Sequence, residues 1–191
     1  MFMFDVETLG IESTSVILSM ACIHFNPEDK PTFKQLVESA FFVKLNVMDQ
    51  YDRLDRTASK TTLEWWDKQG LLLKKQSLLP SISDIPTEKA IDNMKIWSEQ
   101  FPNHNKCTVW ARGNLDEMVL GSMHRKLSQD DLFNFSRWRD VRTAVDILTN
   151  SNNGYCEVDH PEFNRDEVIK HNPVHDCAYD IMMLLYGKVV Q

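Results

Sequence analysis

Cysteine is scarce in this chain, with four in 191 residues. Cys22, Cys107, Cys156 and Cys177 lie far apart, with neither close pairing nor zinc-type spacing. That excludes a disulfide framework and a zinc ribbon, and predicts reduced thiols in a cytoplasmic protein. Positive charge is also short: 21 Lys and Arg stand against 28 Asp and Glu, a net charge of −7. A passive, charge-driven nucleic-acid binder would carry the opposite balance. An enzyme that approaches phosphates through bound divalent cations is still allowed, because the ions invert the local sign. Long apolar runs are missing too. The best, SVILSMACIHF from Ser15 to Phe25, is too short to span a membrane. At the start, Asp5 and Glu7 interrupt any apolar core of a signal peptide. The sequence has no internal repeat and no low-complexity segment, and its length suits a single domain over 1–191.

What is present is an ordered alternation of patterns. MFMFDV, SVILSMACIHF and AFFVKLNV are β-like runs, separated by links with Gly10 and then Pro27 and Pro31, as in a meander. SKTTLEWWDKQG carries helix start and stop signals, and PTEKAIDNMKIWSEQF places Ala90, Ile91, Met94 and Trp97 on one helical stripe. CTVWA then predicts a buried strand, LDEMVLGSMHRKL a helix, SRWRDV a weaker strand and TAVDILT a helix. Residues 150–173 are polar and nearly patternless, which suits a functional flap or a loop with a short helix. HDCAYDIMMLLYGKVV closes the chain as an apolar helix. This order predicts an α/β domain with a mixed central sheet.

The carriers of chemistry are acids in unusual places. Asp5 and Glu7 end the first apolar strand, two apart and therefore on one face, roughly 7 Å apart at Cα. Ionised carboxylates are costly to bury unless paired or bound to metal, and no Lys or Arg is near them in sequence. Asp116 opens the helix after CTVWA, a position the helix macrodipole favours by itself. Asp176 and Asp180 share one face of the last helix; Asp176 is an ordinary first-turn acid, whereas Asp180 lies among residues that must face the core. His175 precedes Asp180 by five residues. Five helical steps separate the two by roughly 140°, so they converge only if His175 precedes the helix. Asp5, Glu7, Asp116 and Asp180 with His175 make four carboxylates and a histidine, which suit a two-metal phosphodiesterase: oxygen ligands select Mg²⁺ or Mn²⁺, and imidazole can take a proton from water near neutral pH.

FDVET, GNLDEMVL and HDCAYDI, in this order, resemble the three motifs of the DEDDh (DnaQ-like) 3′–5′ exonuclease superfamily. TLEWWDKQ, WARG and WRDVRT add a similarity to the phage exonuclease A (DexA) type, so the resemblance runs from Phe4 to Tyr186. It implies a ribonuclease H-like fold, in agreement with the element order. It also implies an acidic site of Asp5, Glu7, Asp116 and Asp180 holding two Mg²⁺ or Mn²⁺ ions, with His175 as general base. Asp5 would bridge both ions, Glu7 and Asp180 would hold the one that binds the attacking water, and Asp116 would support the other. Many relatives have Phe where this chain has Leu115, a change of packing rather than of ligand chemistry.

Thr8 and Leu9 are implied contacts to the 3′-terminal nucleotide. Trp65 and Trp66 are adjacent and cannot both face one core, so an exposed one is a stacking platform for a base. Arg112, Arg139 and Arg142 suit phosphates, although Asp140 beside Arg139 equally suits an ion pair. The expected activity is hydrolysis of single-stranded DNA 3′ ends to 5′-mononucleotides in the host bacterial cytoplasm. No protein partner is predicted. An exoribonuclease or oligoribonuclease is the chemical alternative, and an inactive nucleic-acid-binding relative is the alternative of another class.

Overall fold

A computed structural model describes residues 1–190. Strand β1 (Phe2–Thr8) pairs antiparallel with β2 (Ile17–His24), and β2 pairs antiparallel with β3 (Phe41–Lys44). Across its other edge β1 pairs in parallel with β4 (Val109–Ala111), which pairs in parallel with β5 (Trp138–Asp140). The order β3-β2-β1-β4-β5 places β1 at the centre. The helices are α1 (Phe33–Ser39), α2 (Val47–Leu54), α3 (Lys60–Asp67), α4 (Leu71–Leu73), α5 (Thr87–Ser98), α6 (Leu115–Leu127), α7 (Val141–Thr149) and α8 (Pro173–Tyr186). This is the mixed, helix-flanked sheet of a ribonuclease H-like α/β fold.

Alternation along β1 decides what lies on each face. Phe2, Phe4 and Val6 pack with Ala90, Ile91 and Met94 of α5 and Val119, Leu120 and Met123 of α6. Met3 points the other way, into a core with Phe33 and Leu36 of α1, Val145 of α7 and Ile181 and Met182 of α8. The strand period of two then puts Asp5 and Glu7 on the α8 side, just beyond that core. With both faces covered, β2 is buried at every residue but its last.

Four elements depart from the expectations. Helices α1 and α2 are only seven and eight residues long, too short for a recurring apolar stripe. Their signals are the caps, a Thr32–Gln35 capping box and the Asn46 side chain. After α4 the backbone widens into a π-helical turn, Lys74–Leu78. The last helix begins at Pro173, two residues earlier than expected, because Asn172 caps it by accepting from the N–H groups of Val174 and His175. The 150–172 segment holds a 3₁₀ turn at Arg165–Glu167 and a bridge from Val158 to Gly187. Among the described residues no helix is long and apolar enough to cross a membrane.

Candidate active site

Five acids meet in one cleft, the four expected ones and Asp176 with them. A cleft of about 520 Å³ is lined by Asp5 and Glu7 from β1, Asp116 from the first turn of α6, and Asp176 and Asp180 from successive turns of α8. Asp116 is buried, and its Oδ1 accepts the Val6 N–H at 3.1 Å, fastening α6 to β1. Oδ2 of Asp5 is buried with no hydrogen-bond partner.

Crowding shapes the electrostatics. Burial, then the charges of Asp116 and Glu7, push the Asp5 carboxyl well above its ordinary range. Burial, then Asp176 and Asp116, raise Glu7 likewise. Asp116 is pushed to about 7 by burial, against the pull of its bond from Val6. Asp176 rises to about 7 through burial and the neighbouring Asp180. Such a set costs folding free energy unless a cation compensates it. An orphaned carboxylate oxygen amid unneutralised acids fits a divalent metal centre.

The histidine and the fourth acid correct the sequence reading. His175 lies inside the first turn of α8, so the rotation from Asp180 holds and the two diverge. Its Nδ1 accepts the Ile169 N–H at 3.3 Å and its ring meets Phe33 edge-on, on the core side. His171 lines the cleft instead, in the turn before the helix. Glu7, His171 and Asp176 bring one ligand atom each to within 4.8 Å of one another. The Asp176 carboxylate also accepts the His171 backbone N–H at 2.9 Å. Asp180 is in the cleft but engaged: Arg112 Nη2 approaches its Oδ1 at 2.5 Å, and Nε reaches both its oxygens at 3.1 Å. Burial nonetheless raises the Asp180 carboxyl above its ordinary value. The signal for His171 and Asp176 was in the sequence: HNPVHD repeats the H-x(4)-D spacing of HDCAYD.

The other anticipated contacts divide. Thr8 lines the cleft, its hydroxyl donating to the Gly10 carbonyl at 2.6 Å. Leu9 is instead a core residue with Val16, Leu18 and Trp66, because a bulge after Glu7 changes the strand register. Trp66 is buried and its Nε1 donates to the Thr8 carbonyl at 3.0 Å. Trp65 is the exposed member of the pair and lies edge-on to His171, ring centres 4.6 Å apart. Arg112 is directed to Asp180 and the Gly154 carbonyl, its guanidinium 4.2 Å above the Tyr155 ring, rather than free for phosphate.

With this geometry, comparison with known proteins is decisive. A family model described as the 3′–5′ exoribonuclease Rv2179c-like domain matches residues 1–187. The chain belongs to that family. It is also 30% identical over 207 residues to the exodeoxyribonuclease of Enterobacteria phage T4, covering 97% of this chain and 88% of that protein. The exonuclease is thus DnaQ-like, 3′–5′ in direction and of the DexA type, and its substrate is nucleic acid.

Proposed function

We propose that this exonuclease hydrolyses single-stranded DNA from the 3′ end to 5′-mononucleotides, with Mg²⁺ or Mn²⁺ bound by Asp5, Glu7, Asp116 and Asp176. The observation that carries this reading is the convergence of Glu7, His171 and Asp176 beside the orphaned Asp5 oxygen. When bound, a pair of such ions supplies Lewis acidity at the attacking and leaving oxygens of an in-line displacement. His171 accepts the proton of the attacking water. Burial and Lys170 hold its imidazole below the ordinary histidine value, so it is neutral and receptive near pH 7. Asp176 orients it through the backbone bond. Arg112 holds Asp180 in place behind the ligand set, making both positioning residues. Trp65 faces the terminal base.

DNA is the preferred reading because the phage relative is named an exodeoxyribonuclease. The second reading, RNA, rests on the family description as an exoribonuclease domain. Matched 5′-labelled DNA and RNA oligonucleotides, incubated in Mg²⁺ or EDTA, separate the two. The expected result is a metal-dependent ladder on DNA shortening from the 3′ end. His171→Asn should slow it by roughly 10²–10⁴-fold, and His175→Asn by far less. Equal loss in the two variants would sink the assignment of the base, and a faster RNA ladder would favour the second reading.

A further inference from the structure

The acid-floored cleft has a basic wall, of which the proposed chemistry uses only the charge of Lys170 beside His171. Arg142, Arg165 and Lys170 line the same cleft as the five acids, are exposed at its rim, and form no salt bridge among the described residues. Two of the three are held in place. Arg165 lies with its guanidinium carbon 3.8 Å from the centre of the Tyr179 ring, and Phe163 stacks on that ring at 5.7 Å. A guanidinium stacked in this way keeps its edge N–H groups free for a forked contact to an anion. Arg142 packs its stem on Gly154, where a Cβ would lie 2.7 Å from Arg142 Cγ. Gly154 has a φ of 72°, donates to Asp146 Oδ1 at 2.8 Å and accepts from Arg112 Nη1 at 2.8 Å. The segment thus shapes itself around the arginine.

We propose that Arg142, Arg165 and Lys170 form a phosphate track that grips the nucleic-acid backbone immediately 5′ of the scissile bond. The proposal rests on the exonuclease reading and deepens it, giving the 150–172 segment a role. In a protein of net charge −7, long-range attraction of a polyanion is absent, so local cations must supply the hold on the strand. They lie at the rim, whereas the scissile phosphate belongs at the buried acids. They therefore favour substrates with at least one phosphate beyond the terminal nucleotide.

Fluorescence anisotropy of 5′-fluorescein-labelled dT10, in Ca²⁺ and across a KCl series, tests this without requiring turnover. The wild type is compared with Arg142→Gln/Arg165→Gln/Lys170→Gln and with Arg142→Lys/Arg165→Lys. Loss of three contacts should flatten the slope of log affinity against log salt by about 2, at about 0.7 per phosphate contact on a single strand. The lysine variant should keep most of the slope, which guards against a folding defect. Hydrolysis is then measured on dT10 and on thymidine 5′-p-nitrophenyl phosphate, which has no phosphate beyond the scissile one. The ratio of kcat/KM between them should fall at least tenfold in the triple variant. An unchanged salt slope, or no binding of dT10 by the wild type, overturns the track. Salt-sensitive binding lost in the triple variant, with no hydrolysis of either substrate, would support the track while overturning the exonuclease mechanism.

Discussion

His171 has a φ of 62°, in the left-handed region that costs a branched or bulky residue free energy and that Asn tolerates better. The turn is held by Ser77 Oγ donating to the His171 carbonyl and by the bond to Asp176. His171→Asn should therefore leave the melting temperature unchanged or raised while activity falls. A large drop in melting temperature would make the residue structural. The tryptophans separate in the same manner. Trp66 is 1% exposed, and its change to Ala should cost about 3–5 kcal/mol in chemical denaturation. Trp65, 37% exposed, should cost under about 1 kcal/mol on the same change, with the loss appearing in KM for oligonucleotides. The opposite ranking in denaturation would mean that the exposed and buried rings had been exchanged.

At the scale of elements, the start of α8 determines which histidine meets the acids. Asn172 makes both side-chain bonds that begin the helix at Pro173. Asn172→Ala should lower stability by about 1 kcal/mol and slow catalysis as well, since it frees the turn that carries His171. A stability loss with unaltered kcat would show that the cap serves the helix alone. The Arg112–Asp180 pair ties β4 to the next turn of α8, with side chains 14% and 9% exposed. Arg112→Ala leaves a buried carboxylate beside other acids and should cost about 3 kcal/mol. Adding Asp180→Ala should recover part of that, as a double-mutant cycle in urea would reveal.

Over the whole molecule, the cleft makes stability depend on pH and on metal. Asp116 and Asp176 titrate at about 7 in the folded chain against 3.8 ordinarily. The folded state therefore binds protons more tightly than the unfolded one between those values, so their contribution favours folding at low pH and is lost as pH rises through about 7. His171 and His175 are held below their ordinary value by burial and act in the opposite sense below about 6.5. The clean window thus lies between about pH 6.5 and 8. In EDTA the melting temperature should fall across that range, and saturating Mg²⁺ at pH 8 should restore it. Scanning calorimetry that found a flat profile in EDTA would rule out uncompensated acids.

By itself the sequence determined what local periodicity can carry. An apolar strand ending in D-x-E, an Asp opening the helix after the middle strand, and an acid-bearing apolar last helix were sufficient for the class of fold and for where Asp5, Glu7 and Asp116 stand in it, while their choice as ligands came from the motif resemblance. These positions follow from the strand period of two and from a helix start next to a strand end. Short α1 and α2 escaped because seven or eight residues hold too little pattern. Leu9 was misread because a bulge is a property of pairing between strands and not of one strand. Tertiary structure alone chose between His171 with Asp176 and His175 with Asp180. The spacing H-x(4)-D is identical in both, and only where Asn172 starts the helix, and which face α8 lays on β1, decides which histidine looks into the cleft and which acid stands beside it. The same holds for Arg112, whose nearness to Asp180 spans 68 residues of chain and depends on how β4 and α8 pack.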